Sequence, residues 1–274
     1  MVASLAALCS RLRIDILQMI ATAGSGHPGG SLSAIDIVAT LYEHVLRHDP
    51  KRPEWAERDR FILSKGHAAP ALYAVLAHRG YFPHAALDSL RKFNSPLQGH
   101  PVVGTAKGVE ACTGSLGQGL SVAQGMALAA RMDRKPVRVF CLMGDGEIQE
   151  GQVWEAALSA PRYQLDNLVA IVDLNGGQLD GAVADILPLE PVADKWRAFG
   201  WAVREIDGHD HGQILDALRW AGSEAGKPAL IAARTIKGKG VSFMEHQIGW
   251  HGAAPNPEQL QQAIAELSGQ EQSR

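Results

Sequence analysis

The chain lacks most of the features that mark specialised protein classes. It has three cysteines in 274 residues, Cys9, Cys112 and Cys141, widely spaced and odd in number. That excludes a disulfide frame and suggests a reducing compartment, here the cytoplasm. There is no basic run and no stripe of basic and aromatic residues, and a net charge of −3 is too small to argue for nucleic acid. No apolar run reaches the ~18 residues of a membrane span. Met1–Ala23 has no basic head, and Arg11, Arg13 and Asp15 interrupt it. Leu5, Leu8, Leu12, Ile16, Met19 and Ile20 recur at helical spacing, so an amphipathic first helix is predicted rather than a signal peptide. Internal repeats and low-complexity tracts are missing too.

Several motifs are also missing. Neither GxGxxG nor a Walker loop occurs, so a glycine-rich dinucleotide or nucleotide cradle is not expected. Eleven histidines are present, yet none falls in HxxxH or HExxH spacing, and no cysteine accompanies them as a zinc site requires. His209 and His211 form an HxH pair, but Asp210 between them reads better as a helix cap.

With 46% apolar residues, the composition suits a large globular core. The second half alternates between strand and helix: strands at 137–143, 168–173, 201–206 and 228–233, helices at 150–160, 191–199 and 211–222. That order predicts an α/β fold, doubly wound, with a mainly parallel sheet and helices on both faces. Upstream, Ser33 is expected to cap a helix running to about Leu46, with Asp36 in its first turn. A strand Phe61–Ser64, a helix to about His78 and a smaller helix at Ala85–Lys92 follow. Residues 94–116 are irregular and rich in glycine and proline, then a helix covers Leu116–Met132. After Thr235 comes loop to about Asn256, then a polar helix. One diphosphate-binding domain is expected over 1–274, with its core at about 5–235 and a C-terminal loop and helix at 236–274.

Gly144-Asp145-Gly146-Glu147 follows one apolar run, and Asn175 follows the next. A helical crossover between them would set a carboxylate and an amide side by side at one sheet edge. Oxygen donors of that kind suit magnesium or calcium holding a diphosphate. Gly146 would offer its amide to phosphate, close to a helix N-terminus. Asp-Gly and Asn-Gly are also common turn dipeptides, so only their joint placement favours a site. Four histidines stand in glycine or proline loops: His27, His67, His100 and His251. As neutral imidazoles they would hydrogen-bond substrate hydroxyls and shuttle protons.

The motifs GDGE and the later asparagine, with GSGHPGGS, SKGHAAP, GHP and TGSLGQGLSVAQGMA, resemble transketolase from about Ala21 to Pro255. The resemblance implies the diphosphate-binding half of that thiamine-diphosphate enzyme. It gives magnesium to the side chains of Asp145 and Asn175 and the carbonyl of Gly177. Gly146, Glu147, Asn175, His67, Gly114, Leu116 and Lys237 would face the cofactor, and His27, His100 and His251 the sugar, with His251 also near the cofactor. Glu150 and Glu155 match acidic residues linking paired sites near a subunit interface. Two departures stand out: Gly177 replaces a bulkier residue, and Ile248 stands where some members carry a histidine.

The family draws an activating glutamate and a pyrimidine pocket from a second domain. The resemblance therefore implies the N-terminal subunit of a split transketolase, needing a C-terminal subunit in a heterotetramer of two copies each, and acting on sugar phosphates. Alternatives are a split subunit resembling deoxyxylulose-phosphate synthase or a 2-oxo acid dehydrogenase, a non-catalytic cofactor-binding module, and a piece of a longer polypeptide.

Overall fold

Five short strands, the central ones apolar runs rich in Val, Ile, Leu and Ala, build the parallel sheet. They are β1 (Arg60–Leu63), β2 (Val139–Gly144), β3 (Leu168–Leu174), β4 (Ala202–Asp207) and β5 (Ala229–Arg234). The order is β1-β2-β3-β5-β4 and every pairing is parallel. The structure is a computed structural model that describes residues 2–272. Residues 1, 273 and 274 of the predicted 1–274 domain lie outside the described residues.

Alternation along each strand divides the core in two. Phe61, Leu63, Phe140, Leu142, Val169, Ile171 and Ile231 face a layer made by α1 (Val2–Ala23), α2 (Pro28–His44), α3 (Ala69–His78), α8 (His211–Ala221) and α9 (Pro257–Gln272). Ile62, Val139, Cys141, Met143, Leu168, Ala170, Val172 and Leu230 face α4 (Gln118–Met132), α5 (Gly151–Arg162) and α7 (Val192–Ala198). A single turn, α6 (Val183–Ile186), follows the β3 loop. Strands covered on both sides read as continuous apolar runs, which is why the predicted α/β class holds.

Crossover handedness sets which face each helix covers. The steps β2 to β3 and β3 to β4 run one way and carry α5 and α7 on one face. The step β4 to β5 runs back, so a right-handed crossover puts α8 on the other. The reversal opens a crevice at the C-terminal ends of β3 and β5, where ligands bind in such sheets.

Some local expectations change. α2 begins at Pro28 with His27 as its N-cap, so Ser33 is inside the helix and caps nothing. Proline suits a first turn because its missing N–H is unneeded there. The Ser33 hydroxyl instead reaches Gly30 O (3.1 Å) and Asp173 Oδ2 (2.6 Å). Asp36 is not at a helix end facing solvent: it is buried mid-helix and paired with Arg13 at 2.5 Å. The small helix is a 3₁₀ turn, His84–Ser89. The polar tail helix docks through Ala263 and Leu267 into the core beneath α1. Asp210 caps α8 as predicted, accepting from the N–H of Gly212 and Gln213. The three cysteines are free thiols. Among the described residues no helix is long and apolar enough to cross a membrane.

One buried charge pair ties the strand ends together. Asp173, at 0% exposure, accepts hydrogen bonds from Lys65 after β1, Thr235 after β5 and Ser33 of α2. Burial alone would raise its pKa, but Lys65 and the two hydroxyls outweigh that and hold it below the usual carboxylate value. Asp173→Ala strands the Lys65 ammonium and should cost about 3–5 kcal/mol in urea unfolding, whereas Lys65→Met with Asp173→Leu should cost less than the single change. A loss below about 1 kcal/mol for Asp173→Ala would remove the pair from this role.

Candidate active site

Loops leaving the C-terminal ends of β1, β2, β3 and β5 meet around a cavity of about 260 Å³. Lys65 and His67 come from the first loop, Asp145 to Glu147 from the second, Asn175, Gly177 and Gln178 from the third and Lys237 from the fourth. Leu116 and Glu150 close one side, and His251 of the 3₁₀ turn Ile248–His251 another.

Asp145 and Asn175 stand together, as the strand-end register predicts. Gly146 N–H donates to Asp145 Oδ1 (2.9 Å) and Gly176 N–H to Oδ2 (2.6 Å). Burial, with Asp173 nearby, pushes the Asp145 carboxyl up to about 6. The Asn175 amide nitrogen turns to Asp173 (3.3 Å), and its Oδ1 accepts from Gly177 N–H (3.1 Å). The Gly177 carbonyl already holds a cation, the Lys237 ammonium at 3.0 Å. Three oxygen donors, one of them seating a positive charge, fit a hard divalent ion. Gly146 is packed closely: a Cβ there would lie 2.9 Å from Gln178 Cβ.

Glu147 also lines the cavity. It is buried, and its carboxylate accepts from the N–H of Gly144 and of Gly117, both at 3.0 Å, and from the Ser64 hydroxyl. Its carboxylate therefore organises the β1, β2 and α4 loops while the residue lines the cavity. Gly117, at φ 79°, adopts the left-handed conformation this turn needs.

The four loop histidines converge. Ring centroids lie 5.5 Å apart for His27–His67 and for His27–His251, 5.1 Å for His67–His251 and 6.0 Å for His27–His100. Burial and neighbouring cations hold all four neutral at pH 7. Burial and Arg91 lower His27 to about 4, burial and Lys237 lower His251 to about 3, burial and Lys65 hold His67 well down, and burial and Arg91 lower His100. Arg91 Nη2 donates to His27 Nδ1 (3.2 Å) and Lys237 Nζ to His251 Nδ1 (2.9 Å). Each donation leaves the proton on Nε2, making both rings Nε2–H donors. Lys237 is itself lowered to about 8 by burial and Lys65.

Residues 5–272 match the family model described as transketolase, thiamine diphosphate binding domain. The chain is 48% identical over 251 residues to 6-deoxy-6-sulfo-D-fructose transketolase subunit SqwG of Clostridium sp. (strain MSTE9), covering 92% of this chain and 91% of that one. It is 42% identical over 256 residues to an apulose-4-phosphate transketolase subunit of Phocaeicola vulgatus, covering 93% and 91%. The transketolase structure from Campylobacter jejuni superimposes with a TM-score of 0.91 at 36% identity, over 96% of this chain and 42% of that one. The chain belongs to the transketolase family.

The remaining residues assigned through the transketolase resemblance are spread out. Gly114 packs against His100, 3.8 Å from where a Cβ would stand, and Leu116 lines the cavity. Glu150 is exposed at the cavity edge, and Glu155 is exposed on α5 away from it. Asp173, Lys65 and Arg91 escaped the sequence reading, and Ser33 was read only as a helix cap. A carboxylate ending an apolar strand was the available signal for Asp173, because such a charge demands a buried partner.

The two departures from the transketolase pattern are one contact. A Cβ on Gly177 would lie 2.8 Å from Ile248 Cδ1 and 2.9 Å from Lys237 Cδ. Ile248 thus fills the space that a larger residue 177 would take.

Two measurements follow from this geometry. Carbon-13 titration of the free chain should show the Asp145 carboxyl protonating near 6, dropping below about 4 once magnesium and thiamine diphosphate bind. Since the ion takes the carboxylate form, affinity should fall as pH drops through about 6 and recover above it. A midpoint near 4 in the free chain would contradict the burial argument. Gly177→Ala should displace Lys237 and weaken cofactor binding while costing about 1–3 kcal/mol in stability, and Ile248→Ala in the same chain should restore part of the affinity. No restoration would uncouple the two positions.

Proposed function

We propose that this chain is one subunit of a two-chain transketolase that transfers a two-carbon ketol unit between sugar phosphates in the cytoplasm. The observation that carries the reading is the convergence of Asp145, Asn175 and the Gly177 carbonyl with four neutral histidines at one sheet edge. Asp145, Asn175 and Gly177 would hold magnesium or calcium, and Gly146 and Lys237 would face the diphosphate. When bound, thiamine diphosphate supplies the carbon nucleophile that accepts and releases the two-carbon unit.

This chain's own side chains bind and orient. Neutral imidazoles each present one donor and one acceptor, which suits the alternating needs of sugar hydroxyls. His27 and His251 offer Nε2–H, fixed by Arg91 and Lys237. His100 joins them on the side of Gly114. Lys237 brings an ammonium to the cavity lining, where it would meet an anionic ligand.

A partner chain would contribute the activating glutamate and the pyrimidine pocket, in a heterotetramer of two copies each. Relatives of matching length are named as transketolase subunits. Leu116 lines the cavity, and Val122 and Met132 of α4 and Leu158 of α5 are exposed apolar side chains that such a partner could cover. Four clustered imidazoles favour a polyhydroxylated substrate over the pyruvate of a synthase or dehydrogenase of related type. The intact donor set argues against a non-catalytic module.

Purified chain alone, with magnesium and thiamine diphosphate, should give negligible ketol transfer, and activity should appear on adding the partner subunit. In that complex His100→Ala should reduce transfer from a ketose donor more than it weakens cofactor binding. Robust activity of the lone chain would sink the two-chain reading, and equal losses would make His100 structural.

A further inference from the structure

The HxH segment has a role beyond starting α8. His209 Nδ1 lies 2.7 Å from Asp36 Oδ2 of α2, and its Nε2 lies 2.8 Å from the backbone nitrogen of Ile236. A backbone N–H can only donate, so Nε2 carries no proton. Nδ1 must then hold the hydrogen and give it to Asp36. The ring is fixed at both nitrogens. It bridges the buried carboxylate of α2 to the backbone N–H of Ile236, the residue before Lys237, whose ammonium contacts Gly177 O (3.0 Å) and His251 Nδ1 (2.9 Å).

Asp36 is a firm anchor. It is buried, and it also takes Arg13 (2.5 Å) and His211 Nε2 (3.2 Å). Cys9, Asp36 and His211 come together closely enough for three metal ligands. The Arg13 guanidinium on the same carboxylate opposes a second cation, so the cluster holds the fold together instead.

We propose that His209 is a positioning residue that transmits the Asp36 anchor to the Ile236–Lys237 segment and so sets Lys237 at the cofactor cavity. The proposal rests on the reading of that cavity as a thiamine diphosphate site. Two near-isosteric variants separate the two ring nitrogens. His209→Asn keeps a donor to Asp36 but loses the acceptor for Ile236. His209→Gln keeps the acceptor and loses the donor.

The test uses the full chain labelled with nitrogen-15. Long-range proton–nitrogen correlation of the wild type should show Nδ1 protonated and Nε2 bare. Exchange of the Ile236 amide should rise roughly five- to tenfold in His209→Asn and stay within about twofold in His209→Gln, the loss of one hydrogen bond. Half-saturation by magnesium and thiamine diphosphate, read by tryptophan fluorescence, should weaken more in the Asn variant than in the Gln variant. A protonated Nε2 in the wild type, or equal Ile236 exchange in the two variants, overturns the proposal, and the first readout needs no variant to fold. Asp145→Ala is the control. If it abolishes binding while both His209 variants bind as wild type, the proposal is overturned. If Asp145→Ala also binds as wild type, the cofactor reading has failed, and the exchange comparison alone decides the role of His209.

Discussion

The buried pair of Lys65 and Asp173 is the constraint on which the site depends. Neither group is accessible to water, so each requires the other. Asp173 is one strand residue short of the Asn175 turn, and Lys65 is two residues short of His67. Satisfying one charge therefore locks the ends of β1 and β3 in register, and Thr235 and Ser33 add β5 and α2. Glu147 performs a similar service on the β2 side by collecting Ser64, Gly117 and Gly144. Two inner carboxylates build the platform, leaving Asp145 and Asn175 to face the cavity.

The electrostatics of that platform follow from burial and sign. Lysines beside His67 and His251 disfavour their protonation, so those rings stay neutral next to the Lys237 ammonium instead of adding charges that repel it. Asp145 feels the opposite influence: burial and Asp173 lift it, and a positive charge would lower it again. A region that raises a carboxylate and lowers histidines and a lysine at once has polar groups to spare for an ionic ligand.

Much of this was legible in the chain. The alternation after residue 137 gave the sheet, because apolar strands and amphipathic helices obey different periods. The pairing of Asp145 with Asn175 followed from strand ends alone, since a parallel crossover has few ways to close. The meeting of four histidines needed family resemblance, as His27 and His251 are far apart in sequence and join through the docking of α2 against the 248–251 turn. Ser33 and Asp36 were misread because a serine near a helix start looks like a cap, while buried partners from Arg13, Asp173 and His209 are contributed by distant segments. Nothing local in the motif showed that the Glu147 carboxylate collects Ser64, Gly117 and Gly144.

The interlock of Gly177 with Ile248 bears on how such a site can drift. Enlarging one position before trimming the other passes through a collision that also pushes Lys237, and trimming first leaves a hole beside the carbonyl donor. Either order weakens the intermediate sequence. The two positions are therefore expected to change together, each size set by the other.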